Sequence, residues 1–539
     1  TGNITNNGVF EITTTTAVAA GSTSNIYNTI SGTGSVVRNG TTGVGISLSG
    51  TNDNTYTGLT IVNSGTLRFE KTGGAKATGG DSEVNGGALI ISGNEQTPTN
   101  STITVNAGTL DMSPTMVAGK TNTFGTLTKS GGIIRTYGNT FNVATATFSG
   151  SGTNLINRSQ VNTNNDGTAA GTFIVRSGGS GLVFTGSTDT ALTIESVASG
   201  AQNRLVLQSG VTANMTDGTA QILNGGASAL DGVIDLDGGN RTFAISNGSA
   251  ATDMLVTTAI TNGAITKTGA GRLALGGSST YGGGTTLSAG QLRLDTTNAA
   301  GTGTISQADG TSVLEINAGG TVANAMSVHN VAFVNGGNTL SGSVALNGSA
   351  IFTNVAPGIT NTITGELTGT GGIAKQGDGV LIVAGTQSNS FTGASVVGAG
   401  TLVLSNSAGG AVSGTSIQVD SGASLVLAAD DQIGDTTGLI LNGGTFITGT
   451  STTHFSDTLG TLTLSATSTI DLGSYSAVNT RQLVFANSSA ITWATNATLI
   501  ISNWQGIAQQ SSLVSQILFG TGGLTSTQLA QVYWAGQDI

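Results

Sequence analysis

The stretch Gly371 to Leu404, GGIAKQGDGVLIVAGTQSNSFTGASVVGAGTLVL, decides the fold, because its skeleton recurs elsewhere in the chain. It reads as a glycine, an apolar residue two later, a basic residue two after that and a further glycine, here Gly371, Ile373, Lys375 and Gly377. The aliphatic run Val380 to Val383 follows, then the aromatic turn NSFTG with Phe391 and Gly393, then Gly400 leading Leu402 and Leu404. The first part returns as Gly34, Val36, Arg38, Gly40, as Gly125, Leu127, Lys129, Gly131 and as Gly263, Ile265, Lys267, Gly269. A degenerate copy, Ile174, Arg176, Gly178, lacks the first glycine. The aromatic turn returns as NTYTG and STYGG, and the steps from Tyr56 to Gly65, Tyr281 to Gly290 and Phe391 to Gly400 are each nine positions. A spacing that survives so much substitution implies a fixed geometry.

That geometry is a stack of coils. Side chains alternate along a strand, so Leu292 and Leu294 point one way while Gln291 and Arg293 point the other. One such strand buries little alone, but successive coils stacked at ~4.8 Å make a continuous aliphatic interior. Glycines take the corners, and the abundant Asn and Thr can ladder hydrogen bonds along the stack. The predicted fold is all-β, a single elongated right-handed parallel β-helix (solenoid) of on the order of twenty coils, with an atypical C-terminal cap containing a short helix. Tandem sandwiches would share the short strands. Few aromatics and no Pro-rich or charged linker favour the solenoid. The basic residue of the repeat, Arg38, Lys129, Lys267 or Lys375, is expected on the outer face with a structural role.

Composition supports the same reading. The 539 residues include 86 Gly and only 3 Pro, with 8% charged and 4% aromatic residues, the texture of short strands between turns. A net charge of −11 with no basic run argues against a nucleic-acid partner. There is no Cys, hence no disulfide or thiolate metal site. No apolar run is long enough for a membrane-spanning helix. The opening TGNITNNGVF carries no signal-peptide pattern, so a mature fragment freed of its targeting segments is expected.

Repetition fades after residue 483. The expected division is 1–483 as β-helix and 484–539 as a cap or subunit-docking segment. Trp493, Trp504 and Trp534 all lie in the second part, with Phe519 and Tyr533. LTSTQLAQVYW, Leu524 to Trp534, reads as a short helix with Thr525 as N-cap and Leu524, Leu529 and Val532 toward one side. These aromatics and Leu529 are the candidate subunit contacts.

The units Gly263 to Leu294 and Gly371 to Leu404 resemble the autotransporter-associated β-strand repeat, also called the passenger-associated transport repeat. The match runs through Lys267, Gly269, Gly271, Leu273, Leu275, Thr280, Tyr281, Gly283, Thr285, Gly290, Leu292 and Leu294. The resemblance implies a bacterial secreted right-handed β-helix and specifies no activity. It departs from the family in that nothing after Leu404 is long enough for a membrane β-barrel. The pattern from Ser502 to Trp534 instead resembles the end of repeat proteins that precede a PEP-CTERM-type sorting tail.

Chemistry-bearing groups are sparse. His329 and His454 lack a nucleophile context such as G-x-S-x-G. In DGVIDLDGGN, Asp235 and Asp237 are expected on one strand face, where they could bind Ca²⁺ or act as an acid/base pair. Asp430 and Asp431 read as a turn, and Asn157 to Ser159 as one of many chance glycosylation triplets. No cofactor is expected. The leading expectation is a non-enzymatic extracellular structural protein of a bacterial surface, self-associating head to tail into a filament. Surface glycans and other envelope proteins are further candidate partners. An adhesin passenger and a polysaccharide-degrading enzyme are the alternatives.

Overall fold

The computed structural model describes residues 2–14, 23–41, 44–112, 119–150, 154–156, 170–195, 202–225, 231–354, 356–449, 455–473, 482–504 and 516–535. The chain is a parallel β-solenoid of about 18 turns, with one small helix near the C-terminus. Its residues form two compact units, Thr1–Thr285 and Thr286–Ile539. The expected C-terminal segment 484–539 lies within the second.

In the first unit the strands Gly45–Gly50, Thr66–Lys71, Ala88–Ile91 and Thr109–Met112 stack in parallel register, Leu48 against Phe69, Phe69 against Ile91 and Ile91 against Met112. All four side chains of that column are buried. Alternation is plain in Thr66–Lys71, whose residues run half-buried, buried, half-buried, buried. The interior is not purely aliphatic: Phe141 and Phe173 are register partners with ring centroids 6.2 Å apart, and Phe124, in the neighbouring column, packs 5.8 Å from Phe141. Edge-to-face contacts of this kind add to the area burial itself. On the outside Asn63 donates to Asn39, Asn85 to Asn63 and Asn106 to Asn85 at 2.9–3.1 Å, and Ser130 donates to Asn106. The anticipated polar ladder is therefore real, one residue per turn.

The second unit repeats the scheme. Leu381, Leu402, Leu425, Phe446, Ile470, Ile501 and Trp534 share one register column. Corners are set by backbone geometry: Gly377 and Gly400 have φ of 72° and 63°, and a Cβ on Gly400 would lie 2.5 Å from the Gly377 carbonyl oxygen one turn away. Only glycine fits where two coils approach so closely.

Candidate functional site

The repeat's basic residue faces inward, contrary to expectation. Arg38, Lys129, Lys267 and Lys375 are all fully buried. The cause is the period of two: Ile265 and Lys267 are two apart, so they share a face, and Ile265 is buried too. The stem of Lys375 stacks in register between Phe352 and Val397, while its ammonium donates to the carbonyls of Gln376 (3.0 Å), Gly377 (2.6 Å) and Ala399 (3.0 Å). Lys267 donates likewise to Thr268 and Gly269. Arg38 serves Ile12, Val44 and Thr66 carbonyls. A glycine corner turns carbonyls away from the strand ladder, and the cation collects them. Burial lowers the Lys267 and Lys375 ammonium groups to about 8, with Asp253 and Asp378 respectively opposing the shift.

The aromatic of the turn is internal as well. Tyr281 is buried, and its hydroxyl lies 2.7 Å from Thr285 Oγ1; Tyr56 and Thr60 repeat the pair at 2.6 Å. Where the aromatic is Phe391, Ser395 stands four positions on and accepts instead from the Ile373 backbone N–H. Gly269 and Gly290 hold φ of 77° and 70° in the same unit-to-unit pattern as Gly377 and Gly400.

The acidic pair is not a pair on one strand. The strand Val233–Asp235 ends before Asp237, which sits in the left-handed region at φ 51°. Asp235 Oδ1 accepts the Asp237 N–H and the Asn262 amide, and its carboxylate lies 3.6 Å from Arg204. Asp237 accepts from Gln208. Hydrogen bonding within the turn, which Asp favours, overrides strand alternation. Asp431, as read, occupies a bend with φ 54°. His329 lies half-buried at a register shift, its backbone N–H donating to Gln307. His454 and Asn157 to Ser159 lie outside the described residues. Among the described residues no group of three or more His, Cys, Asp or Glu is arranged to hold a metal.

One cluster was not legible in the sequence. Asp111 and Arg135 are register partners on adjacent turns, 3.7 Å apart, and the Arg135 guanidinium lies 5.9 Å over the Tyr137 ring. Burial pushes the Asp111 carboxyl up to about 7, Arg135 opposing it, and raises Glu195 for the same reason. Strands that meet only through stacking bring these residues together.

The first unit also carries a lateral cleft of about 520 Å³. Its lining comes from four successive turns and includes Asn100, Thr123, Thr126, Thr145 and Arg176. It forms where Thr121–Lys129 and Thr140–Ser149 each place two consecutive residues outward, Gly125 with Thr126 and Ala144 with Thr145, bending the outer face. Arg176 spans it, donating from Nη2 to the Thr99 and Phe124 carbonyls at 3.1 Å each.

At the C-terminal end Trp493 is buried, its indole N–H donating to the Leu462 carbonyl at 3.0 Å. The helix is shorter than expected, Ser526–Leu529, with Thr525 as N-cap and Gln528 closing a capping box. Gln528, not Leu529, turns inward, donating to the Ser488 and Ile491 carbonyls. Leu529 and Tyr533 are 58% and 59% exposed. Trp504 packs 4.9 Å from Trp534, and Phe519 stacks 5.3 Å from Phe485.

Residues 47–69, 265–294 and 373–404 match the family described as the passenger-associated-transport-repeat, and the last two spans hold Lys267, Tyr281, Lys375 and Phe391. A curated relative, the adhesin BmaC autotransporter of Brucella suis biovar 1 (strain 1330), is 34% identical over 105 residues. Those residues are 20% of this chain and 3% of the relative, so the chain matches only a small part of it. No solved structure matches. The chain is a parallel β-solenoid that carries passenger-associated transport repeats.

Proposed function

We propose that this chain is a non-enzymatic segment of a secreted or cell-surface bacterial protein, whose solenoid presents its lateral surface for adhesion. The observation that carries this reading is the use of the repeat's cations: Lys267 and Lys375 are spent inside the coil on corner carbonyls. Repetition thus builds a scaffold, and recognition is left to the outer face. The repeat family and the adhesin relative support it. The purified chain is expected to bind immobilised extracellular-matrix proteins or glycans, with binding lost on heating, and to release no reducing ends from polysaccharides. Steady release of reducing ends would refute it.

A second reading, end-to-end association, is favoured by the exposed apolar side chains Leu518, Leu529 and Tyr533 on the final turn. The strand Val532–Trp534 pairs with Leu499–Ser502 and with no further strand among the described residues, and an open edge is a template for pairing. Light scattering should show concentration-dependent growth that Leu529→Asp with Tyr533→Asp abolishes. Constant mass at all concentrations would dismiss it.

A further inference from the structure

We infer that the lateral cleft over Arg176 is a binding site for an acidic polysaccharide, with the carboxylate of a uronate residue seated against the Arg176 guanidinium. The inference rests on the adhesive reading above and names its ligand class. It begins with a change of phase. In the complete repeats the basic residue lies inside, but around Arg176 the buried side chains of the strand Thr172–Val175 are Phe173 and Val175, while Ile174 faces out. Shifting a strand pattern by one residue moves every side chain to the opposite face. The degenerate motif therefore delivers its cation to the surface, into the cleft, instead of into the core.

There the guanidinium is held but not neutralised. Nη2 is anchored on the Thr99 and Phe124 carbonyls, which fixes its plane across neighbouring turns. Nε is shielded from solvent and out of a ligand's reach, so the donors left toward the cleft are those of Nη1, which makes no hydrogen bond among the described residues, and no carboxylate pairs with Arg176 among them. An arginine so positioned keeps N–H donors for an anion, and carboxylate is the acceptor that its planar fork suits.

The remaining lining fits a sugar chain. Thr126 and Asn100 present a hydroxyl and an amide with no hydrogen bond among the described residues, while Thr145 Oγ1 accepts the Ser180 N–H and Thr123 donates to Glu95. Among the described residues no acidic or aromatic side chain lines the cleft. Four turns at the strand spacing give a length of ~14 Å, enough for several linked sugars and more than one monosaccharide needs. The volume falls within the range of ligand sites. The chain's net charge of −11 opposes an anion at long range, but beyond about 8 Å that repulsion is screened at physiological salt, whereas the contact with Arg176 is not.

The test is affinity electrophoresis of the whole chain through gels containing polygalacturonate, fully methyl-esterified polygalacturonate or dextran. Polygalacturonate should retard the chain, and the esterified polymer, with the same backbone and no charge, should bind at least about tenfold more weakly. Arg176→Gln should remove that difference. Because Arg176 also ties two carbonyls, Thr126→Glu supplies a variant that leaves those bonds in place; it should abolish retardation by like charge while the circular dichroism spectrum stays unchanged. Equal retardation by the acid and ester forms, retention in both variants, or no retardation of the parent chain would each overturn the inference. If the chain still adheres to matrix proteins or neutral glycans, the adhesive reading survives that loss.

Discussion

Replacing Lys375 with Met tests whether a buried ammonium clamps the corner. In the folded chain Lys375 is fully buried and burial lowers its pKa from 10.5 to about 8, with Asp378 pulling the other way. The sign follows from proton counts. Between pH 8 and 10.5 the unfolded chain holds a proton here that the folded chain has released, so stability rises with pH across that window. This contribution is complete above 10.5 and is lost as pH falls through about 8. Between pH 7.5 and 9.5 the gain is on the order of 2 kcal/mol. Lys375→Met removes the titration together with three hydrogen bonds. The carbonyls left behind belong to the half-buried Gln376, Gly377 and Ala399, which water can reach. Their loss and the relief of the buried charge offset each other to about 1 kcal/mol at pH 7.5. The parent should then outgrow the variant by about 2 kcal/mol at pH 9.5. Urea unfolding followed by the fluorescence of Trp493, Trp504 and Trp534, all in the second unit, reads this difference. Parallel pH profiles for parent and variant would show that the ammonium is not desolvated and that the clamp is wrongly described.

Three further outcomes follow from the same geometry. Tyr281→Phe should cost about 1 kcal/mol by leaving the buried Thr285 hydroxyl without its 2.7 Å partner; adding Thr285→Val should recover part of it, measured by urea midpoints of the double-mutant cycle. Burial pushes the Asp457 carboxyl up to about 7, against opposing hydrogen bonds from the Ile433 and Gln432 N–H groups. Its contribution to stability is thus full below about pH 4 and lost as pH rises through 7, so Asp457→Asn should raise the unfolding midpoint at pH 8 and leave it unchanged at pH 4. Gly400→Ala should destabilise the second unit by at least about 2 kcal/mol, since a methyl at φ 63° meets the Gly377 oxygen at 2.5 Å; an unchanged melting temperature would refute the close stacking of those corners.

The stacked-coil fold was legible because period two and fixed spacing are local properties of the chain. Gly269 to Gly290 and Gly377 to Gly400 carry the corners in their spacing alone, and the matched columns Leu381, Leu402, Leu425 follow once the units are aligned. Lys375 was legible by the same rule, since it stands two residues from Ile373. The expectation that a charge belongs outside displaced the geometric one, although a lysine stem can lie in an apolar column while its ammonium reaches polar atoms at the rim. Asp237 failed in the opposite sense: alternation was extended past the last strand residue, where a turn had already taken over.

What could not be read is whatever depends on the number of residues between turns. Asp111 meets Arg135 only because a turn there is 24 residues long, and a change of one residue in that loop would flip one partner to the other face. Arg176 differs from Lys267 in just this way: the motif is present in both, but Phe173 and Val175 have taken the inward positions. The phase of the surrounding apolar residues, more than the motif itself, tells which face a basic residue occupies. Applied along the chain, that criterion separates cations that hold corners together from those exposed to a ligand. It makes the imperfect copies of the repeat, whose loss of phase costs the scaffold a clamp, the places where a solenoid of this kind can acquire a binding site.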